Sequence, residues 1–323
     1  MEFFTHIDIA PLQQKISHPQ QIFSIGSCFA GNIAQRMRRA KFHIASSPMG
    51  TLFNPASIAS SIDLLADKHT ISDEELQYAN ELWFSYDFHS SFSVMDKQIA
   101  LKSMQQSINQ GAEALTNAEV IIVTFGTAWV YRLKSNNKVV ANCHKQPQAL
   151  FNRELLTIEE IIANWGRLLD STLKGKQAIF TISPIRHLSD GLEQNSLSKS
   201  ILRVAIAELV AKYDNAQYFP SYEIMNDELR DYRFYAEDMT HPSSLAIDYI
   251  WQRFTQTAIS EESCNLMDRI AKISQAVSHR PFNPQSEAYR NFCKKQLQDI
   301  EKINQAYPAI DFSEEKAIFI AHL

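Results

Sequence analysis

The segment that most constrains the fold of this chain is QQIFSIGSCFAGNIAQRMRRA, at residues 20–40. Its first apolar run ends in Gly26-Ser27, and apolar residues then recur at the three- and four-residue spacing of one helix face. The segment therefore predicts a strand, a tight turn and a helix. Gly26 allows the sharp bend, so Ser27 or Cys28 is presented at the helix amino end, where free N–H groups stabilise negative charge. The alternative is that small residues simply fit a crowded crossover.

Length and composition bound the class of protein. The 323 residues suit one α/β domain with appendages, and contents of 45% hydrophobic and 21% charged residues are those of a soluble globular protein. The formal net charge of −5 gives no reason to expect nucleic acid as a partner. No apolar stretch is long enough for a membrane span, and the first residues lack the pattern of a signal peptide, so we expect a cytoplasmic protein. Four widely separated cysteines indicate neither a zinc site nor a disulfide framework, and we expect no metal and no cofactor.

Further apolar runs predict the remaining strands of an open parallel sheet. The unbroken run at residues 120–125 is rich in β-branched residues, which is typical of a strand buried on both faces. Shorter runs predict strands at residues 42–45, 178–182 and 217–219. Helical patterns between them complete an α/β fold. Because loops that leave the carboxyl ends of neighbouring parallel strands converge on one crevice, we expect polar residues in those loops to meet there.

Three residues in these loops are candidates for that crevice. Gly50 could offer its N–H near Cys28, and the alternative is an ordinary turn glycine. Arg186 and His187 follow the predicted strand at residues 178–182. An arginine there suggests an anionic or carbonyl-bearing substrate, whereas a surface loop that caps helix ends is the alternative.

An aromatic stretch at residues 83–92 carries polar residues at alternate positions. As a strand, it would place Ser85, Asp87 and His89 on one side and aromatic rings on the other. This polar row, with His89 as a substrate-binding candidate, could line a pocket. An edge strand with one solvated face would have the same pattern.

A carboxylate and a histidine lie three residues apart in Asp238-Met239-Thr240-His241-Pro242. Pro242 suits the first turn of a helix, which predicts His241 at a helix amino terminus, where the dipole helps to keep the imidazole neutral. Asp238 is close enough to accept a hydrogen bond from the other ring nitrogen and fix its tautomer. Together with Cys28 or Ser27, this pair favours a catalytic triad. Cys28 or Ser27 would be the nucleophile, His241 the base and Asp238 the carboxylate that orients the base. A structural histidine beside a helix cap is the alternative.

The chain is predicted to comprise a catalytic domain at residues 1–258 and a helical C-terminal extension at residues 259–323 packed on it. The extension has helical patterns on either side of a proline-containing break, but no clear chemical motif. Besides packing on the domain, it could form a partner surface. The protein could also be a homo-oligomer.

The motifs of this chain resemble those of the GSCFA family. Gly26-Ser27-Cys28-Phe29-Ala30 matches the signature of that family, and the similarity extends over roughly residues 18–255. The other matching blocks are at residues 50–55, 126–128, 183–187 and 238–242. GSCFA proteins are similar to the SGNH (GDSL-type) hydrolases. The resemblance therefore implies a three-layer α/β/α sandwich with a parallel, flavodoxin-like sheet.

The resemblance also implies roles for individual residues. Cys28 matches the nucleophilic serine of the SGNH hydrolases, and Asp238 and His241 match the orienting carboxylate and the base. Gly50 and Gly126 match the two glycines of the oxyanion hole. A cysteine nucleophile would make the acyl intermediate a thioester.

Two departures from the SGNH pattern leave alternatives open. A one-residue shift would make Ser27 the nucleophile, with Cys28 merely packed. The block that begins at Gly126 lacks the asparagine that completes the oxyanion hole, and His187 or Asn195 could replace it.

These residues lead us to expect an acyl hydrolase or acyltransferase that acts on an ester or thioester of a sugar, lipid or small metabolite. The alternative is a binding module for a glycan or lipid that keeps the hydrolase fold but has lost the chemistry, and the altered oxyanion block favours it. A metal hydrolase is the weakest interpretation, because the sequence lacks the histidine and carboxylate spacings of a metal site.

Overall fold

A computed structural model describes residues 5–323 of the protein. Its strands, in chain order, are β1 (Gln21–Gly26), β2 (His43–Ser46), β3 (Gln77–Ala79), β4 (Leu82–Phe84), β5 (Val120–Phe125), β6 (Trp129–Leu133), β7 (Val139–Val140), β8 (Phe151–Leu155), β9 (Gln177–Ile182) and β10 (Ala216–Phe219). Its helices are α1 (Cys28–Arg39), α2 (Pro55–Ala66), α3 (Lys97–Asn117), α4 (Ile158–Asp170), α5 (Leu192–Lys212), α6 (Ser221–Glu223), α7 (Ser244–Ala258), α8 (Glu261–Val277), α9 (Glu287–Ala306) and α10 (Ser313–Ile320).

Five of these strands form the central parallel sheet, in the order β10-β9-β5-β1-β2. Ile22 of β1 lies opposite Ile44 of β2 on one side and Val120 of β5 on the other. Counted along the chain, this is the flavodoxin-like order 2-1-3-4-5, in which the direction of winding reverses between β1 and β5. Helices cover both faces, so the predicted three-layer α/β/α sandwich is confirmed.

Alternate side chains of each strand point to opposite faces of the sheet and enter two separate cores. Phe23 and Ile25 of β1 pack with α2 to α5, whereas Ile22 packs with α1 and α7. In the first core, the ring centroids of Trp165 and Phe125 are 5.0 Å apart. Complete burial of such a side chain contributes on the order of 2 kcal/mol, so the strands are held firmly from both faces.

The strand, turn and helix predicted at residues 20–40 are present as β1 and α1. Gly26 adopts a φ of 135° in the turn, and a Cβ atom at this position would lie only 2.1 Å from the Thr124 carbonyl oxygen. Only glycine fits there. Ser27 is the last residue before the helix, and Cys28 is the first residue within it.

Two antiparallel sheets extend the sandwich. β3 and β4 form a hairpin, and β6 pairs with both β7 and β8. β6 begins at Trp129, shortly after the carboxyl end of β5, so the second sheet continues from the edge where the crevice is predicted. The alternation predicted for residues 83–92 is wrong beyond Phe84, because the chain turns there and the Phe88 N–H donates to the Ser85 carbonyl.

The helix predicted to begin at Pro242 begins later, at Ser244. Ser243 caps it by accepting the Ala246 N–H at its Oγ, and Pro242 pairs instead with Tyr235 in an isolated bridge. His241 therefore lies in a turn before the helix. It is not at the helix amino terminus where it was predicted to lie, and the helix dipole acts mainly within the first turn.

The C-terminal helices α8, α9 and α10 enclose a core of their own, which includes Leu266, Ile270, Cys293, Ile300 and Phe319. They contact the sandwich beside the start of β1 and the end of α1. The His18 ring lies 3.0 Å from the Ser263 Oγ, and Lys41 forms an ion pair with Glu315 over 2.7 Å. Within residues 5–323, we find no helix that combines the length and the apolar character needed to cross a bilayer.

Candidate active site

Two loops meet above the carboxyl ends of β1 and β5, where the winding of the sheet reverses. The Leu52 N–H donates to the Gly26 carbonyl over 3.0 Å, which ties the loop after β2 to the end of β1. In the same loop, the Phe53 carbonyl accepts the N–H groups of Gly126 and Thr127, over 2.7 and 2.9 Å. The predicted convergence of these loops on one crevice is therefore present in the structure.

Gly50 lies in this loop with a φ of 81°, and a Cβ atom there would lie 2.4 Å from the Cβ atom of His89. His89 thus packs against the backbone of Gly50, and its Nδ1 lies 3.0 Å from the Ser91 Oγ. The Gly50 N–H donates to the Ser47 carbonyl over 2.8 Å. The N–H groups of Gly50 and Gly126, which are the two predicted oxyanion donors, therefore both have carbonyl partners in this conformation.

Of the two candidate nucleophiles, Cys28 is the more accessible. Its side chain is partly buried, whereas Ser27 is only 2% exposed. The Ser27 Oγ is buried and has no hydrogen-bond partner among residues 5–323. The geometry therefore favours Cys28 as the side chain that a substrate can reach.

Opposing influences act on the pKa of Cys28. Burial raises this pKa above its ordinary value, whereas the N–H groups of Cys28 and Phe29 and the nearby Lys199 ammonium lower it. Burial has the largest effect, so the net pKa is raised and the thiol keeps its proton at neutral pH. Chemistry at Cys28 therefore needs a base that removes the proton.

Lys199 of α5 is buried beneath the crevice, with 1% of its surface exposed. Its Nζ donates to the Gly126 carbonyl over 2.6 Å and to the Ser183 carbonyl over 2.7 Å, just beyond the carboxyl ends of β5 and β9. Burial lowers the pKa of Lys199 to about 7, and the charge of Cys28 opposes this shift. The side chain thus links two strand ends and places a titratable amine near the thiol.

His187 follows β9, and the nearby Gly126 carbonyl acts to raise the pKa of its ring. Burial, together with the charges of Lys199 and His241, lowers the pKa of His187 to about 4, so the ring is neutral at pH 7. The His187 Nε2 is buried and has no hydrogen-bond partner within residues 5–323. Asn195 accepts the His187 N–H at its Oδ1 over 3.0 Å. Asn195 therefore positions the backbone of His187 from the first turn of α5.

The Asp238 carboxylate holds both the ring and the backbone of His241. Its Oδ2 lies 2.6 Å from Nδ1 of His241, and its Oδ1 accepts the N–H groups of Thr240 and His241, each over 2.9 Å. The hydrogen bonds from His241 and Thr240 lower the pKa of Asp238 to about 2, so the carboxylate is ionised at neutral pH. The predicted hydrogen bond is present, and Nε2 of His241 is the ring nitrogen left to accept a proton.

The turn that carries His241 is fixed to the segment after β9. The Arg186 N–H donates to the Thr240 carbonyl over 3.2 Å, and His241 is close enough to His187 for its charge to lower the pKa of that ring. The Arg186 guanidinium lies 3.9 Å from the ring centroid of Tyr235. Arg186, which was predicted to contact substrate, therefore supports the turn of the candidate base.

A cavity of about 420 Å³ lies beside the crevice. Phe53, Thr127 and His187 line it and also belong to the crevice, so the two are continuous. The remaining walls come largely from the second sheet and its connections. They combine aromatic, amide-bearing and charged side chains with small or aliphatic ones, and comprise Asn54, Trp129, Tyr131, Val140, Ala141, Asn142, Cys143, Gln146, Gln148, Phe151, Arg153, Ser189 and Asp190.

Neither Lys199 nor this cavity is among the features predicted from the sequence. The sequence does contain a signal for the buried lysine. Lys199 precedes Leu202 by three residues and Ile206 by seven, and this spacing places all three on the buried face of α5. A lysine on an apolar face is a candidate buried charge, since lysine is almost never fully buried without a partner. The cavity has no comparable local signal, because its walls come from segments far apart in the chain.

A partly buried thiol at a helix amino end, near a buried lysine, defines an α/β sandwich protein with a thiol-centred candidate site at the switch point of its sheet. The carboxylate-held imidazole of His241 lies near His187. Among residues 5–323, no group of three or more histidine, cysteine or acidic side chains is placed to hold a metal ion. The chain belongs to the GSCFA family, because the model of that family matches residues 21–254. The C-terminal domain of GSCFA domain proteins matches residues 270–323. A comparison with curated proteins found no match.

Proposed function

We propose that the protein is an acyl-transfer enzyme that acts on an ester or thioester through a thioester at Cys28. The main support is the position of the Cys28 thiol, which is accessible at the amino end of α1 and faces the N–H groups of Cys28 and Phe29. Donors in that position can stabilise both the thiolate and the oxyanion that its attack creates. The acceptor decides the class, since transfer to water makes a hydrolase and transfer to another hydroxyl makes an acyltransferase.

The proposed reaction has two steps. In the first, Nε2 of His241 takes the thiol proton, the Cys28 sulfur attacks the acyl carbon, and the bond to the leaving alcohol breaks as His241 returns the proton to that alcohol. In the second, His241 takes a proton from water or an acceptor hydroxyl, whose oxygen attacks the thioester and releases the Cys28 sulfur, which regains the proton. Asp238 holds the required tautomer throughout. The oxyanion would bind the N–H of Cys28, and that of Gly50 once it is released from Ser47.

A covalent adduct at Cys28 tests this function. The protein would be incubated with p-nitrophenyl acetate and a panel of acyl esters and thioesters, and mass spectrometry of intact protein and of peptides would locate the acyl group. We expect acylation at Cys28 and loss of both acylation and turnover in Cys28→Ala. Cys264→Ala is the matched control, because Cys264 is a partly buried thiol on α8, and it should behave like wild type. Wild-type turnover by Cys28→Ala would refute the assignment.

One observation favours a second candidate function, a binding module for a glycan or lipid that has lost the chemistry. The N–H groups of Gly50 and Gly126 donate to the carbonyls of Ser47 and Phe53, so neither is free to stabilise an oxyanion in this conformation. Removal of one such donor costs an enzyme about 100- to 1000-fold in kcat. Lack of turnover across the whole panel, with binding of a glycan or lipid by both wild type and Cys28→Ala, would support this candidate.

A further inference from the structure

The cavity beside the crevice combines aromatic walls with two unpartnered polar nitrogens. Trp129, Tyr131 and Phe151 supply rings to its walls. The Trp129 Nε1 and the His187 Nε2 are both buried, and neither has a hydrogen-bond partner in the described part of the chain, residues 5–323. Leaving a buried polar group without a partner destabilises the protein, so a ligand that satisfies both nitrogens is favoured.

One class of chemical group can satisfy both nitrogens. The indole N–H of Trp129 can only donate. Burial lowers the pKa of His187 to about 4, so the ring is neutral at pH 7 and its Nε2 either accepts or donates one hydrogen bond, according to the tautomer. A hydroxyl group both donates and accepts, and can therefore satisfy either nitrogen. A ligand with several hydroxyl groups can satisfy both at once.

Charge and polarity narrow the class of ligand further. Arg153 and Asp190 form an ion pair in the cavity wall, and the Arg153 guanidinium lies 3.8 Å from the centroid of the Trp129 ring. The arginine is thereby neutralised, which disfavours a phosphate or carboxylate as the ligand. Amide side chains, among them Asn142 and Gln148, also line the cavity, and an acyl chain packed on them would leave the Asn142 NH2 group and the Gln148 amide unpaired.

We propose that this cavity binds a sugar, as a neutral polyhydroxylated ring, and that this sugar is the alcohol part of the ester. The C–H faces of the ring would pack on the aromatic walls, while its hydroxyl groups bond with the Trp129 Nε1 and the His187 Nε2. His187 lies near Gly126, and a Cβ atom at Gly126 would lie 3.4 Å from that of Ser27, so the sugar would lie beside the turn that carries Cys28. The link to an ester rests on the proposed function, whereas the binding of a sugar does not.

Calorimetric titration with uncharged sugars tests the site. The probes are the methyl β-glycosides of glucose, galactose and mannose together with cellobiose, and octanoate and inorganic phosphate represent the competing classes. We expect at least one sugar to bind saturably, and Trp129→Phe, which keeps a ring but removes the N–H, to weaken that binding about fivefold. Trp83→Phe is the matched control, because Trp83 lies on β4 and is also partly buried, and it should bind like wild type.

A second readout needs no variant. Cys143 lines the cavity, so a bound sugar should slow its alkylation by iodoacetamide at alkaline pH, while alkylation of Cys264 on α8 should be unchanged. Binding of octanoate or phosphate in place of every sugar would overturn the inference. Equal sugar affinity of wild type and Trp129→Phe, without protection of Cys143, would also overturn it.

The same titrations on Cys28→Ala separate this site from the acyl chemistry. Sugar binding by Cys28→Ala, with no acylation of the wild-type protein by any ester, would support the sugar site and remove the enzyme. Acylation at Cys28 without binding of any sugar would remove the sugar site and leave the enzyme in place.

Discussion

Lys199→Met would remove a buried amine while keeping an unbranched side chain of similar length. Burial lowers the pKa of Lys199 in the folded protein to about 7, from an ordinary value of 10.5 in the unfolded chain. Between these pH values the unfolded chain binds more protons than the folded protein does. The free energy of unfolding of wild type, relative to that of Lys199→Met, must therefore rise with pH across this window and fall again as pH drops toward 7.

The size of this effect follows from the same pKa difference. From about pH 7.5 to about pH 9.5, wild type should gain about 2–3 kcal/mol of unfolding free energy over Lys199→Met. The variant also leaves the carbonyls of Gly126 and Ser183 without their donor, at a cost of about 1–3 kcal/mol that changes little with pH. Urea unfolding followed by tryptophan fluorescence at several pH values separates the pH-dependent part from the constant part.

Lys212→Met is the matched control, because Lys212 is exposed near the end of the same helix. Its stability relative to wild type should stay constant across the window. Parallel pH profiles of wild type and Lys199→Met would refute the account of a buried amine that is neutral above pH 7. Iodoacetamide offers a second measurement, since loss of the Lys199 ammonium should raise the pKa of Cys28 and slow its alkylation at neutral pH.

Gly26→Ala would place a methyl group 2.1 Å from a backbone oxygen and should lower the free energy of unfolding by more than about 3 kcal/mol, whereas Gly31→Ala, on an open face of α1, should raise it by about 0.5–1 kcal/mol. Equal stabilities in urea would contradict the close approach at Gly26. Asp238→Asn should lower kcat for a turned-over ester about 100- to 10,000-fold, and Asp231→Asn, a change to another carboxylate before the same turn, should not. Unchanged kcat in Asp238→Asn would argue against its role. Alkylation of Cys28 should still accelerate with pH above its ordinary pKa of 9.0, and a plateau below that pH would show that burial does not raise the pKa.

The central sheet could be predicted because its strands are short apolar runs. Residues 120–125 are buried throughout, since helices cover both faces of β5, and the sequence carries that environment directly. β6 and β8 could not be predicted in the same way. Their sequences, WVYRL and FNREL, mix charged and apolar residues because the second sheet is partly exposed. Residues of these two strands line the cavity, so the cavity could not be predicted from sequence patterns either.

In the candidate site, too, the features that depend on neighbouring residues could be predicted, and those that depend on distant segments could not. The hydrogen bond between Asp238 and His241 could be predicted, because the two residues share one tight turn. The hydrogen bonds of the Gly50 and Gly126 N–H groups could not be predicted, because their carbonyl partners depend on how separate loops pack over the sheet. Asn195 is predicted to contact substrate or to replace the missing oxyanion donor, and that stays a prediction. Its Oδ1 accepts the His187 N–H, a contact that no local spacing encodes.

The C-terminal helices contact the sandwich at the amino edge of its central sheet. His18 precedes β1 and Lys41 precedes β2, so both contacts lie one strand length, about 20 Å, from the edge that carries Cys28. A surface, tag or second molecule attached through α8 to α10 would therefore leave the thiol facing the solvent. Immobilisation through this end should preserve access of soluble reagents to Cys28, so that attachment and chemistry can be varied separately.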